Sequence, residues 1–193
     1  MSKVILFCGV ESTGKTTAIE NMYKYLKNQG QNVAVVWEYG RQVCDDSGGV
    51  FDMTLLDYEK ILYGHQSNIL KTLNTADIIL LDTDSLYTLH YLKKDKQRLS
   101  NDKKQYTKLA RLAKFIAKNN ERNNRITSVI YLNSDCEFVQ DGTRTYESTR
   151  KQDDKNLYKQ YSKVYKNINV ITGNNFEART IQIKKVLNKI VNN

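Results

Sequence analysis

The sequence predicts an α/β fold, a three-layer sandwich built on a mainly parallel five-stranded sheet. Short apolar runs alternate with segments of helical periodicity along the whole chain, which is typical of this class. The run ADIILLD (76–82) is almost entirely apolar, as expected for a parallel strand that is covered on both faces. The 193 residues contain neither an internal repeat nor a linker. We therefore expect residues 1–193 to form a single domain.

The first part of the chain predicts two strands, each followed by polar residues and a helix. KVILFC (3–8) is a short buried strand, and a helix over about 15–28 follows its glycine-bearing loop. NVAVVW (32–37) is the second strand, and SGG (47–49) marks a loop. Residues 54–73 place apolar side chains at helical spacings and predict the second helix.

The second part of the chain continues the same alternation after the strand at 76–82. The polar stretch 137–153 contains no clear periodicity and is predicted to be irregular. The other predicted elements are helices over about 84–96, 103–122, 154–166 and 176–191, and strands ITSVIYL (126–132) and INVIT (168–172).

Composition excludes several classes of protein. No apolar run is long enough to span a membrane, and the N-terminal residues lack the features of a signal peptide. Cys8, Cys44 and Cys136 are scattered and form no CxxC pair, which argues against a zinc site or a disulfide framework. We expect reduced thiols and a cytoplasmic protein without a membrane partner.

The net charge of +9 is concentrated in one segment. Residues 93–125 hold twelve basic and three acidic side chains, whereas the rest of the chain is neutral. The predicted helix 103–122 repeats Lys or Arg at three- and four-residue steps along one face. Either this is a solvated helix face, or it meets an anionic partner such as nucleic acid or an acidic protein.

The stretch GVESTGKTT (9–17) fits the phosphate-loop pattern G-x-x-x-x-G-K-[ST] and lies between the first strand and the first helix. Its glycines let backbone N–H groups surround a phosphate at the helix N-terminus, and Lys15 reaches the outer phosphates of ATP. Glu11 is a carboxylate inside this loop, and we expect it to point away from the phosphates. The alternative is an ordinary glycine turn. The predicted nucleotide-binding residues are Gly9, Glu11, Ser12, Thr13, Gly14, Lys15, Thr16 and Thr17.

A magnesium site is predicted beside the phosphate loop. The Thr16 hydroxyl is a metal ligand in this motif, and Asp82 ends a neighbouring strand, where it would hold Mg²⁺ through water. Asp84 follows two residues later, in DTD (82–84). We expect it to face the acceptor of the phosphoryl group, unless it caps the next helix instead.

Four candidate functional side chains lie at the end of the second strand, in WEYGR (37–41). Ligands of open α/β sheets bind beyond the carboxyl ends of the strands, so this stretch is a candidate acceptor site. Glu38 would accept the proton of an acceptor hydroxyl, Trp37 and Tyr39 would stack on a ring, and Arg41 would hold a phosphate or order a carboxylate. Alternatively, the aromatic rings fill the edge of the core beside a surface ion pair.

Five motifs together resemble the ribosylnicotinamide kinase domain of the NadR-type family. They are GVESTGKTT (9–17), WEYGR (37–41), DYEKILYGHQ (57–66), DTD (82–84) and VQDGTR (139–144). The resemblance covers most of the chain and implies a P-loop kinase fold with a mobile lid. It implies transfer of phosphate from ATP to the ribose 5′-hydroxyl of nicotinamide riboside. Thr13, Gln42 and the basic segment 93–125 depart from the family pattern.

The chemistry of nicotinamide riboside fits these residues. Its pyridinium ring is a cation, which aromatic faces attract by about 0.5 to 2 kcal/mol. We expect Glu38, Asp57 and Asp84 to make the acceptor pocket acidic, with Tyr58 as a further substrate contact. His65 in GHQ is interpreted as a hydrogen-bonded structural residue.

The lid is predicted at about 137–153. Arg144 and Arg150 would close over the phosphates and act in catalysis as arginine fingers, with Asp141 orienting Arg144. One of these two arginines is also consistent with an exposed, solvated side chain.

The sequence therefore favours an ATP- and Mg²⁺-dependent kinase that acts on a small nucleoside, with nicotinamide riboside as the preferred acceptor. The first alternative is a deoxynucleoside kinase or a nucleoside monophosphate kinase of the same fold. The second is a P-loop protein that binds nucleic acid through its basic helix. Both Glu38 and Asp84 are candidates for the catalytic base.

Overall fold

Five parallel strands form the central sheet of the computed structural model, which describes residues 2–99, 101–139 and 147–192. The strands are β1 (Lys3–Cys8), β2 (Val33–Val36), β3 (Ile78–Asp82), β4 (Ser128–Leu132) and β5 (Ile168–Ile171). They lie in the order β2-β3-β1-β4-β5, and all four pairings are parallel. The predicted sheet is confirmed, and it is wholly parallel across these strands.

Helices cover both faces of the sheet. They are α1 (Lys15–Asn28), α2 (Tyr39–Asp46), α3 (Leu55–Thr72), α4 (Ser85–Lys94), α5 (Lys103–Arg122), α6 (Arg150–Tyr161) and α7 (Phe176–Asn192). Short 3-10 turns lie at Val50–Asp52 and Glu147–Thr149. Of the described helices, none is long and apolar enough to cross a membrane.

The core consists of two apolar clusters, one on each face of the sheet. In β1, Ile5 and Phe7 pack with α1 and α7, whereas Val4, Leu6 and Cys8 pack with the helices of the other face. This alternation follows from the two-residue side-chain period of a strand. Because both faces of the sheet are buried, the strands are apolar throughout, and the predicted three-layer architecture is confirmed.

Two helices differ from the sequence prediction. α2 was not predicted, and it carries Tyr39 and Arg41 directly after β2. α6 begins at Arg150, four residues before the predicted start and inside the predicted lid. The buried residues in its first turn are Arg150 and Asp153, so hydrophobic periodicity gives no signal there.

The strand order brings three polar segments to one edge of the sheet. β1 lies beside β3, and β2 lies on the far side of β3. Because the strands are parallel, the loop after β1, the DTD motif after β3 and Glu38 after β2 all follow carboxyl ends. The candidate site is built at this edge.

Candidate active site

The loop between β1 and α1 has the geometry of a phosphate cradle. Gly9 has a φ of 146°, and a Cβ there would lie 2.2 Å from the carbonyl oxygen of Leu132, so no other residue fits. Gly14 adopts a left-handed conformation immediately before α1, with a φ of 77°. Because Gly14 has no side chain to cap the helix, the N–H groups of the first turn of α1 are available to an anion.

Lys15 is folded onto its own loop. Its Nζ donates to the carbonyl oxygens of Gly9 at 3.0 Å and Val10 at 2.9 Å. Burial lowers the pKa of Lys15, and the nearby carboxylates of Asp82 and Glu38 oppose this shift. The buried ammonium therefore lies among acidic groups at the point where the motif requires a phosphate-binding lysine.

The other residues of the motif divide between loop structure and open surface. The Thr13 hydroxyl donates to the Val10 carbonyl oxygen, and the Ser12 Oγ accepts a hydrogen bond from the Val139 N–H. Thr16 and Thr17 are exposed at the start of α1. These contacts hold the loop in shape without covering its helix end.

Glu11 lies at the cavity that adjoins the phosphate loop. Its side chain lines the cavity beside the loop, and its Oε2 is buried without a hydrogen-bond partner among the described residues. An unpartnered buried carboxylate oxygen is costly unless a ligand meets it. Glu11 thus adds an acid to this cavity, and its direction relative to bound phosphates stays a prediction.

Thr16 and Asp82 fit a magnesium site. The Thr16 hydroxyl lies 3.5 Å from Asp82 Oδ2, while Asp82 Oδ1 is buried and has no partner in the described chain. Burial raises the pKa of Asp82, and the positive charge of Lys15 opposes that shift. Mg²⁺ is usually held by one or two carboxylates together with substrate phosphates, so this small oxygen set suits it.

Asp84 does not face the acceptor, which corrects the prediction. Its carboxylate is 1% exposed and caps α4 by accepting from the N–H of Leu86. It also accepts hydrogen bonds from the hydroxyls of Tyr161 at 2.6 Å and Tyr165 at 2.5 Å. The carboxylate is fully used in fixing α4 against the segment that contains α6, as the alternative interpretation anticipated.

Trp37 also lies away from the site. The indole is 45% exposed and lines a surface groove with Tyr23, Lys24 and residues of β2. Glu38, the next residue, lines the cavity beside the phosphate loop. Neighbouring residues at a strand end project to opposite sides, so the two side chains cannot both contact one substrate.

Of the two candidates for the catalytic base, Glu38 is the one whose carboxylate lines the cavity. It precedes α2 without capping it through its side chain, unlike Asp84 before α4. The pKa of Glu38 is raised to about 7, first by burial and then by the negative charge of Asp82, and the positive charges of Lys15 and Arg41 oppose this rise. A carboxylate with this pKa is suited to accepting a proton near neutral pH.

The cavity beside the phosphate loop, named the acceptor cavity below, has a volume of about 190 Å³ and lies between the loop and helices α2, α3 and α4. Tyr39 and Arg41 line it as predicted, and Tyr87 and Tyr91 of α4 were missed by the sequence analysis. Nothing in the local sequence marks these two tyrosines. Their position depends on α4 following β3 and packing beside α3.

Tyr58 and Asp57 have structural roles in α3. Tyr58 lines the cavity, but its hydroxyl donates to Asp95 at 2.7 Å. Asp57 forms a capping box with Thr54 at the start of α3 and an ion pair with Lys60. These contacts lower the pKa of Asp57 to about 2, with the Lys60 hydrogen bond as the largest cause. Asp57 is not among the residues that line the cavity, and its contact with a substrate stays a prediction.

His65 is hydrogen-bonded, in agreement with its interpretation. Its Nε2 lies 3.1 Å from the carbonyl oxygen of Thr83 and therefore donates to it. Burial lowers the pKa of His65, so the ring is neutral and its buried Nδ1 is an acceptor. Thr83 has a φ of 63°, an uncommon value for a non-glycine residue, and separates the opposed carboxylates of Asp82 and Asp84.

The predicted lid is only partly within the described residues. Arg144 and Asp141 lie outside them. Arg150 is buried and donates to the carbonyl oxygens of Glu11, Ser12 and Cys136. In this structure its guanidinium is hydrogen-bonded to the backbone of the phosphate loop. Its role over the phosphates stays a prediction.

Arg179 of α7 is a second arginine beneath the loop, and sequence reasoning missed it. It is 2% exposed and donates to the carbonyl oxygens of Thr13, Asn133 and Gly173. The contacts with Thr13 and Asn133 reach 166 and 46 residues back along the chain. No local pattern carries that information.

Comparison with solved structures identifies P-loop kinase neighbours. The chain superposes on a NadR protein in complex with NR with a TM-score of 0.77 at 20% identity, covering 98% of this chain and 51% of that one. A NadR protein in complex with NAD and AMP-PNP gives a TM-score of 0.72 at 19% identity, covering 97% and 49%. The chain thus spans about half the length of these NadR chains.

Thymidylate kinases share the fold as well. The Ehrlichia chaffeensis enzyme gives a TM-score of 0.63 at 17% identity, covering 97% of this chain and 98% of that one. The Candida albicans enzyme gives 0.59 at 12% identity, covering 97% and 92%. A search of curated protein sequences found no significant match. The family model described as AAA domain matches residues 4–179, so the chain belongs to that family.

Proposed function

We propose that the protein is an ATP- and Mg²⁺-dependent kinase that phosphorylates the ribose 5′-hydroxyl of nicotinamide riboside to give nicotinamide mononucleotide. The observation that carries this proposal is Glu38, a carboxylate that lines the cavity beside Lys15 with its pKa raised to about 7. In-line transfer needs an acceptor oxygen aimed at the γ-phosphorus, and the proton of that hydroxyl must leave. Glu38 is suited to orient the hydroxyl and take its proton.

The charge of the cavity supports a cationic acceptor. Three carboxylates line it, those of Glu11, Glu38 and Asp45, against the two cations Lys15 and Arg41. Lys15 is reserved for the triphosphate, which leaves the acceptor side acidic. A pyridinium ring suits such surroundings, while a second phosphate would be repelled.

Aromatic faces provide the second element of recognition. Tyr39, Tyr58, Tyr87 and Tyr91 all line the cavity. Tyrosine faces attract a positively charged ring through their quadrupoles, by about 0.5 to 2 kcal/mol per contact. These tyrosines take the role that sequence analysis gave to Trp37.

The second candidate is a nucleotide kinase that phosphorylates a nucleoside monophosphate. The thymidylate kinase neighbours favour it, and Arg41 in the cavity is a possible partner for the acceptor phosphate. A single arginine against three carboxylates makes this the weaker candidate.

ADP release against a panel of acceptors tests the proposal. We expect kcat/KM for nicotinamide riboside to exceed that for thymidine, cytidine and thymidine monophosphate by about tenfold or more, the difference of one good aromatic–cation contact. The Lys15→Ala variant, which removes the phosphate-binding amine, should give no ADP above background and serves as the control. Preference for thymidine monophosphate would support the second candidate, and no turnover with any acceptor would refute both.

A further inference from the structure

A second concavity lies on the far side of α4 from the acceptor cavity. It is a groove of about 600 Å³ between α4, α5 and α6, with Leu86 and Val164 among its apolar lining. Cavities of this size bind small molecules in other proteins. Tyr87 and Tyr91 of α4 line the acceptor cavity, whereas Leu86 and His90 line the groove, so α4 is the wall between the two sites.

The groove is lined by six lysines, which come from all three helices and from the residues that follow α6. They are Lys93, Lys94, Lys114, Lys118, Lys159 and Lys163. Asp153 is the single carboxylate among the lining residues, and Lys94 forms an ion pair with it. Within the described chain, Lys114, Lys118, Lys159 and Lys163 form no salt bridge. The groove therefore carries several positive charges without matching acids.

These charges oppose one another inside the groove. The pKa of Lys93 is lowered first by burial and then by the positive charges of Lys114 and Lys163. His90 adds no charge at neutral pH, because burial lowers its pKa to about 4. Holding like charges together costs free energy, which a multivalent anion in the groove would recover.

The shape of the charged region favours a compact ligand over an extended strand. The basic face of α5 is not one continuous stripe, because Lys108 pairs with Glu59 of α3 while Lys114 and Lys118 line the groove on the other side. Phe115 is 66% exposed but lies outside the groove, so no aromatic platform is built into it. A nucleic-acid strand needs a charged track with stacking surfaces along it.

We propose that this groove binds a compact anion carrying several phosphate groups, at a second site distinct from the phosphate loop. The ligand makes charge-assisted hydrogen bonds to the groove lysines, and the side-chain amide nitrogen of Asn156 adds a neutral donor. This inference is independent of which acceptor the kinase phosphorylates.

Lysine acetylation footprinting read by mass spectrometry tests the site residue by residue. The probe is inorganic tripolyphosphate, and the Lys15→Ala variant, measured beside the wild type, separates protection of the groove from binding at the phosphate loop. We expect saturable protection of Lys114, Lys118, Lys159 and Lys163 at or below about 1 mM probe, while Lys103 and Lys104 keep their rates.

A charge-reversed pair provides the matched control. Lys114→Glu/Lys118→Glu removes two groove lysines, and Lys103→Glu/Lys104→Glu makes the same change of charge on the same helix outside the groove. We measure the tripolyphosphate concentration at which protection of Lys159 and Lys163 is half-maximal. We expect this concentration to rise by about tenfold or more in the first variant and to stay unchanged in the second.

Four outcomes would overturn the proposal. Equal protection of all exposed lysines, or equal effects of the two variants, would mean that only net charge attracts the probe. No protection of groove lysines at about 1 mM would exclude a site of useful affinity. If a twelve-residue oligothymidylate protected both the groove and Lys104 while tripolyphosphate did not, the surface would bind a nucleic-acid strand instead.

Discussion

The ring of Tyr39 occupies the space into which a side chain at Gly64 would project. A Cβ on Gly64 would lie 2.3 Å from Tyr39 Cε1 and 2.7 Å from Cδ1, closer than van der Waals contact allows. Gly64 lies in the middle of α3, where glycine costs about 1 kcal/mol relative to alanine. The glycine of the GHQ motif is therefore explained by the position of the Tyr39 ring at the wall of the acceptor cavity.

Gly64→Ala should weaken binding of the acceptor. The added methyl group displaces the Tyr39 ring, which lines the cavity, whereas the phosphate loop is untouched. We expect KM for nicotinamide riboside to rise by about tenfold, a loss comparable to one cation–π contact, with little change in KM for ATP. Steady-state kinetics with each substrate varied in turn measures both.

A double-mutant cycle with Tyr39→Leu isolates the steric cause. If the methyl group acts through the ring, Gly64→Ala should cost much less when Tyr39 is already leucine. Equal costs in both backgrounds, or an increase in KM for ATP of the same size, would contradict this explanation.

Glu38→Gln should impair catalysis, whereas Asp84→Asn should impair folding stability. Glu38→Gln keeps the shape and removes the base, so we expect kcat to fall by about 10² to 10⁴ with the fold intact. Asp84→Asn leaves one of the buried hydroxyls of Tyr161 and Tyr165 poorly paired. It should lower the free energy of unfolding by about 1 to 3 kcal/mol and leave kcat within a few-fold of wild type.

Single-turnover kinetics and urea denaturation together measure this pair of effects. Loss of the chemical step in Asp84→Asn alone, at unchanged stability, would show that the catalytic role belongs to Asp84. Glu38 would then be a substrate contact or a partner of Arg41.

Trp37→Ala should leave the acceptor kinetics nearly unchanged. The indole lies in a surface groove beside Tyr23 and Lys24 and not in the cavity. We expect kcat/KM for nicotinamide riboside to stay within about twofold of wild type, while the matched change Tyr39→Ala should lower it by about tenfold through loss of a cavity aromatic. Equal losses in the two variants would contradict the assignment.

The order of the strands and of the helices other than α2 could be predicted because it rests on local patterns, apolar runs for strands and the glycine–lysine signature for the phosphate loop. The side to which Trp37 and Glu38 point was also implied by the alternation of a strand, although the sequence analysis placed both at the substrate. The role of Asp84 was not accessible in this way. Its partners Tyr161 and Tyr165 lie 77 and 81 residues away, and only the packed fold brings them together.

The raised pKa of Glu38 predicts how activity depends on pH. Burial and the neighbouring charge of Asp82 raise this pKa to about 7, so near neutral pH a fraction of the free enzyme holds the proton and cannot act as base. We expect kcat/KM to rise with pH and to level off above about 7, since this parameter reports the free enzyme. A flat profile from about pH 5 to pH 8 would contradict a base with this pKa.

The raised pKa of Glu38 also predicts how the free energy of unfolding depends on pH. Whereas kcat/KM should rise with pH, this free energy should fall. In the unfolded chain Glu38 should titrate near its ordinary value of 4.5, and in the folded protein near 7. Between these values the folded state binds more protons, so the free energy of unfolding falls as pH rises through this window. Glu38→Gln lacks this titration, so its stability relative to wild type should increase from about pH 5 to about pH 8. Urea denaturation of both proteins at the two pH values measures the difference. A wild-type protein that gains stability relative to Glu38→Gln as pH rises would show that the carboxylate is stabilised in its charged form, and the raised pKa would then be wrong.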